Sequence, residues 1–182
     1  MKHVLLLAVA MVLGCFQVAC SADNKEPAKG DKVAVCEIGP TKGNTVKGLV
    51  TFTQIGDKVK VVADVSGFEP NTRHGFHIHE GTECGEDGMK AGGHYNPEKH
   101  EHGLPDKAMR HAGDFGNLEA DKDGKAHLEL TVEGITIDGD KNPILGHAMI
   151  VHAKLDDGSQ PVGNAGARIG CGLIKLKDKE AK

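Results

Sequence analysis

The segment HGFHIHE, His74–Glu80, carries three histidines in seven residues. Imidazole is a common ligand for transition metals and also a proton carrier near neutral pH. In an extended strand alternate side chains share a face. His77 and His79 therefore point one way, and Phe76 and Ile78 point the other. Phe76 and Ile78 are expected in the core, with the two histidines outside it and facing the residues that follow. Their Cβ atoms would be about 7 Å apart, close enough for both rings to converge on one ion. His74 has the opposite parity and is not expected to bind that ion. Taken alone, H-x-H also fits two solvated histidines on a strand.

The next stretch, HYNPEKHEHGLPDKAMRHAGD, places His94, His102, His111 and Asp114 at the spacing H-x7-H-x8-H-x2-D. Three imidazoles and one carboxylate make a closed tetrahedral zinc site. Asp114 opens a strand, which would give such a site one rigid wall. A further histidine, His152 in VHAK, comes late in the chain.

Strands must position these groups. From residue 32 onward short alternating runs recur between turn signals. They are KVAVCEI, VKGLVTFTQ, KVKVVADVSG, HGFHIHE, GDFGNLEAD, KAHLELTV, HAMIVHAK and ARIGCGLIKL. ADKDGKA reads as a tight turn between the fifth and sixth. No run supports a helix of three turns. Eight strands at this spacing predict an all-β domain, an eight-stranded Greek-key sandwich or flattened barrel. Two connections are too long for hairpins, about residues 81–113 and about 155–167. A loop of about 30 residues in a compact domain needs something to order it. A metal and a disulfide would do so, because this loop holds His94, His100, His102, His111 and Cys84.

Composition agrees with a small β-protein. There are 25 glycines, no tryptophan and one tyrosine. All 11 histidines but His3 lie between residues 74 and 152. The formal charge is −4 with acids and bases interspersed, so no basic stripe marks a nucleic-acid partner.

The first 20 residues, MKHVLLLAVAMVLGCFQVAC, read as an export signal with a short basic start and an apolar run. That run is too short to span a bilayer. Cys15, ending VLGC, and Cys20, ending QVAC, are lipidation candidates, and a plain cleavage near Ala22 is the third option. Residues 21–31 read as a flexible linker, residues 32–177 as the domain and residues 178–182 as a polar tail. Export implies the periplasm or cell envelope, with a lipid anchor if one of those cysteines is modified. Disulfides persist there. Setting Cys15 and Cys20 aside leaves Cys36, Cys84 and Cys171, which is one disulfide plus one free thiol.

These residues resemble the copper–zinc superoxide dismutase family over essentially all of 32–177. The resemblance rests on GFHIHE, GGHYNP, RHAGDFGN and GNAGARIGCG. It implies copper held by His77, His79, His94 and His152, and zinc held by His94, His102, His111 and Asp114. His94 would serve both ions. An all-imidazole set suits copper, while three histidines and an aspartate suit zinc. His102 is preferred over His100 because it precedes GLP. The resemblance further implies that Asp156 bridges the free ring nitrogens of His77 and His102. It gives His74 a supporting role from the core side and pairs Cys84 with Cys171. Cys36 is then a buried thiol.

The implied reaction converts superoxide to dioxygen and hydrogen peroxide. Arg168 would bind the anion through a charge-assisted contact, and His94 would carry a proton. A copper-binding or copper-delivery protein on the same fold is the alternative; the intact ligand set and Arg168 argue against it. Superoxide is the expected small-molecule partner, and a homodimer the expected protein partner where the chain is not monomeric. One departure is the segment 157–167, DGSQPVGNAGA, which is short and lacks a charged cluster. Lys154 is the only cation near it in sequence, so guidance of the anion is expected to be weaker, or to come from Lys107, Arg110 or other loop residues.

Overall fold

The computed structural model describes residues 32–85 and 87–178. The expected export signal, with Cys15 and Cys20, the linker, and tail residues 179–182 lie outside the described residues.

Nine strands form in order: β1 (Val33–Pro40), β2 (Lys47–Ile55), β3 (Lys58–Ser66), β4 (Arg73–His79), β5 (Asp114–Glu119), β6 (Lys125–Glu133), β7 (Ala148–His152), β8 (Arg168–Leu173) and β9 (Lys175–Leu176). Each expected run forms a strand, but the eighth splits at Ile174. The reason is packing: Ile174 is fully buried, and its N–H turns to the carbonyl of His147 at 3.0 Å. Both β8 and β9 pair with β1. Gly172 permits that close approach, since a Cβ there would stand 2.2 Å from the carbonyl oxygen of Glu37.

All pairings are antiparallel, in the order β5-β4-β7-β8-β1-β2-β3-β6. Neither β3 and β4 nor β6 and β7 are neighbours, so those connections cross between the two halves, as in a Greek key. The outermost strands, β5 and β6, are joined by the tight turn at 120–124. This brings the two edges together and nearly closes the barrel. Asp121 fixes the turn by accepting the N–H groups of Asp123 at 2.8 Å and Lys125 at 2.9 Å.

Period-two alternation decides which residues enter the core. Cys36, Val50, Ala63 and Leu128 stand opposite one another across β1, β2, β3 and β6 and face inward. The next row, Glu37, Leu49, Asp64 and His127, faces out. Burial pushes the Cys36 thiol up to about 12, so it is an inert, protonated core group.

The two long connections run from β4 to β5 and from β7 to β8, as expected. A third, 134–147, was not anticipated. It carries no alternating run, yet Ile135, Ile137 and Ile144 are buried and plug the barrel. Gln54 fixes it by accepting the Ile137 N–H at 2.9 Å, and the Asn142 side chain donates to the Gly134 carbonyl at 2.7 Å.

If this loop is a core element, Ile137→Ala will cost about 2–5 kcal/mol. The shift of the urea midpoint in the metal-loaded protein measures it. A surface loop would lose less than about 0.5 kcal/mol.

Candidate metal centre

β4 delivers Phe76 and Ile78 to the core and His77 and His79 to the opposite face, as its parity requires. The opposite face is not solvent. The 80–113 loop folds back over it, and His94 pairs with His79 in an isolated antiparallel bridge. His77 and His79 are consequently buried.

Two bulges aim further groups at this region. In the β4–β5 pair the register slips so that His77 faces Asp114 rather than Phe115. In the β7–β8 pair it slips so that His152 faces Arg168. An extra residue in one strand re-aims the side chains beside it.

Ligand atoms then converge in two sets. His77, His79, His94 and His152 form the first, and His94, His102, His111 and Asp114 the second. Within each set the atoms lie within 4.8 Å of one another, and every member is buried. His94 belongs to both. Its Nδ1 lies 2.8 Å from Asp114 Oδ1 and 3.3 Å from His111 Nδ1, in the second set, which leaves Nε2 for the first. His100 belongs to neither. It is part-exposed and lies 3.2 Å from the Arg110 carbonyl.

The hydrogen bonds around the clusters fix where ring protons sit. His79 Nδ1 donates to the Gly92 carbonyl at 3.0 Å and His152 Nδ1 to the Gly166 carbonyl at 3.1 Å. A carbonyl only accepts, so both neutral rings carry their proton on Nδ1. Their Nε2 lone pairs then face each other at 3.3 Å. Asp156 receives Nε2–H from His77 at 2.8 Å and from His102 at 3.0 Å. The Nδ1 atoms of these two rings are buried without a hydrogen-bond partner. His102 Nδ1 lies 3.0 Å from Asp114 Oδ2, off the line of a hydrogen bond.

Opposed lone pairs in a buried site call for a cation. Tetrahedral ligands at 2.0–2.1 Å from an ion lie about 3.3 Å apart. Three of the observed spacings, 3.2–3.3 Å, match this, and all ligand atoms of a set lie within 4.8 Å of one another. Both donor sets therefore fit an ion, four imidazoles in one and three plus a carboxylate in the other.

Ionisation follows the same layout. Burial pushes His79 down to about 2, His152 to about 3 and His94 to about 4, so these rings are neutral at physiological pH. Burial opposes charge on Asp114 and Asp156, but the surrounding imidazoles outweigh it and hold both well below the usual carboxylate range. Burial also opposes charge on His102. Two carboxylates override it and raise His102 to about 9, which favours a second proton on this ring, beside the Nε2–H given to Asp156.

Arg168 lines a cleft of about 390 Å³ together with His79, His94 and His152. Its guanidinium donates to the carbonyls of Gly88 and Gly92, and its own carbonyl accepts the Thr41 hydroxyl at 2.8 Å. The Cys84–Cys171 disulfide joins the loop bearing those glycines to β8, three residues from Arg168. His74 lies behind the cluster, 2.9 Å from the His152 carbonyl and stacked on Phe68. Lys107 and Arg110 do not line the cleft. They border other hollows, and Arg110 donates to the carbonyls of Asp114 and Lys107. Lys154 lies nearer, its side chain packed over Gly166 at the cleft wall.

Several supporting groups escape sequence reasoning. Asn117 exchanges two hydrogen bonds with the Asp156 backbone at 3.0 and 2.8 Å, and Gln160 does the same for His102 at 3.0 and 2.8 Å. Gly163 leaves room for Asp156, since a Cβ there would lie 2.0 Å from Asp156 Oδ1. The glycines could have been suspected; the amide clamps have no signal in residue type or spacing.

A nearly closed Greek-key barrel with two adjacent donor clusters that share one imidazole and could each hold a cation defines a class, the two-metal β-barrel proteins. The family model described as copper/zinc superoxide dismutase matches residues 46–174. The chain belongs to that family. It is 44% identical to a copper–zinc superoxide dismutase of Paramecium bursaria Chlorella virus 1, covering 71% of this chain and 72% of the relative. It is 41% identical to superoxide dismutase [Cu-Zn] 5 of Dictyostelium discoideum, covering 79% and 97%. An extracellular copper–zinc superoxide dismutase of Drosophila melanogaster is 42% identical, over 77% and 82%.

The second proton on His102, at Nδ1, must leave before a metal can bind there. Because its ion-free value is raised to about 9, zinc affinity of the second cluster should climb about tenfold per unit from pH 7 toward 9. By the same linkage, the proton's contribution to ion-free stability is present below about pH 6.5 and lost as pH rises through about 9. Competition with a chromophoric chelator across this range measures the affinity; a flat profile would contradict the charge assignment.

Proposed function

We propose that the chain is a superoxide dismutase that uses copper in the first cluster and zinc in the second. The donor sets support this division, since all-imidazole coordination suits copper and three histidines with an aspartate suit zinc. The net reaction takes two superoxide anions and two protons to dioxygen and hydrogen peroxide. Copper, when bound, supplies the one-electron carrier that alternates between two oxidation states, while zinc has no redox chemistry.

The protein's own residues do the remaining work. His79 and His152 present Nε2 lone pairs because Gly92 and Gly166 hold their Nδ1 protons. Asp156 orients His77 and His102 together, so one carboxylate sets a ring in each cluster. His94 has Nε2 free to hold and release a proton at the cleft, with Nδ1 engaged on the second cluster. Arg168 receives the anion. Its guanidinium is pre-oriented by two backbone carbonyls, and the remaining donors open on the cleft beside His79, His94 and His152.

The observation that carries this reading is the shared His94, one nitrogen in each cluster, opening on the same cleft as Arg168. A metal-delivery protein has no need of a pre-oriented anion donor there. The decisive measurement is superoxide turnover by the copper- and zinc-loaded protein against the zinc-only form. Turnover is expected only in the former. Arg168→Glu should lower it by at least about 100-fold, since it replaces an attractive charge by a repulsive one. Both metals should stay bound by elemental analysis. Equal rates in the loaded and zinc-only forms would refute the reading.

Export to the periplasm or cell envelope belongs to the same proposal. The Cys84–Cys171 disulfide supports it, since such bonds persist in oxidising compartments. Extracellular relatives in Haemonchus contortus and Drosophila melanogaster support it too. The leader is read as 1–20, with Cys15 or Cys20 carrying a lipid, followed by a linker and the domain at 32–177. The mature protein in the envelope fraction should then begin at one of those cysteines with an acylated mass. A mature chain starting at Ala22 or beyond would eliminate the anchor.

A further inference from the structure

The Gly92 carbonyl is a single acceptor serving two functional groups. It takes His79 Nδ1–H at 3.0 Å and an Arg168 N–H at 2.5 Å. Its position therefore sets both a proposed copper ligand and the proposed anion donor. Gly92 has φ 69° and ψ −148°, a conformation only glycine adopts freely. A flexible residue does not hold so exacting a place unaided.

Glu80 restrains it. Its carboxylate Oε1 accepts the Gly93 N–H at 3.1 Å, and its own N–H donates to the Gly93 carbonyl at 2.9 Å. The side chain lies over Gly92, where a Cβ would meet Oε1 at 2.8 Å and Cγ at 3.0 Å. Glu80 is itself fixed, since its carbonyl accepts a hydrogen bond from the His147 ring at 2.9 Å. The carboxylate is solvent-exposed and lines no part of the cleft, so it does not touch substrate.

We propose that Glu80 is a positioning residue. Its carboxylate clamps the Gly92–Gly93 peptide and so fixes His79 and Arg168 relative to one another. This rests on the copper reading of the first cluster. A hydrogen bond, not charge, does the work, so glutamine at this position keeps the function and alanine does not.

The test compares Glu80→Ala and Glu80→Gln with the unmodified protein, each loaded with copper and zinc. Azide, a small anion, is titrated onto the cupric protein, and the copper electron paramagnetic resonance spectrum is recorded. Glu80→Ala should weaken azide binding about three- to tenfold, the effect of losing one hydrogen-bonded restraint, and alter the spectrum. Glu80→Gln should restore both. Unchanged azide affinity and spectrum in Glu80→Ala would overturn the proposal, as would Glu80→Gln behaving like Glu80→Ala. The copper reading fails separately, if copper in the unmodified protein shows no imidazole-nitrogen splitting. The clamp is also read without copper. Gly93 amide exchange in the zinc-only protein should be at least about threefold faster in Glu80→Ala, and an unchanged rate overturns the clamp alone.

Discussion

Asp156 is the group on which the rest of the site depends. Its two oxygens receive His77 from β4 and His102 from the 80–113 loop, while it sits on the connection after β7. Three segments far apart in the chain thus meet at one buried carboxylate. A buried acid is costly unless its lone pairs are used. Here two imidazoles and the Gly158 N–H use them, and Asn117 and Gly163 hold the space in which they do so. Removing one partner would leave the others uncompensated, so the network acts as a unit.

The same bridge explains how one protein keeps two donor clusters distinct. Each ring bound to Asp156 turns its other nitrogen into a different cluster, and His94 lends one nitrogen to each. Proton positions are settled by neighbours that can only accept: Gly92, Gly166 and Asp156. The orientation of these rings is thus set by the chain's own hydrogen bonds. In the first cluster burial is the main cause, with neighbouring imidazoles adding to it, that keeps His79, His94 and His152 neutral.

Order in the long loop has several sources of different strength. The disulfide closes a separation of 87 residues, which in the chain-entropy account restrains the unfolded chain by about 4–5 kcal/mol. It also ties the wall carrying Gly88 and Gly92 to the strand carrying Arg168. Thr41 and the Lys42 N–H, on the β1–β2 turn, hold Arg168 and Asp87 from outside. Exposed ion pairs on the barrel, such as Lys58–Glu133, contribute little by comparison.

Much of this was legible in the sequence, because strand parity and residue chemistry are local properties. Alternation marked the strands, separated Phe76 and Ile78 from His77 and His79, and spacing singled out His94, His102, His111 and Asp114 as one donor set. Family motifs extended that reading to His152, Asp156, Arg168 and the Cys84–Cys171 pair. Tertiary structure alone decided the break at Ile174, the 134–147 plug, the two bulges that aim Asp114 and Arg168, and the backbone carbonyls that fix the rings. It also decided that Lys107 and Arg110 are not among the residues lining the cleft. Each of these depends on which distant segment packs against which. A carbonyl has the same chemistry in every residue, so its role appears only when the chain has folded around it.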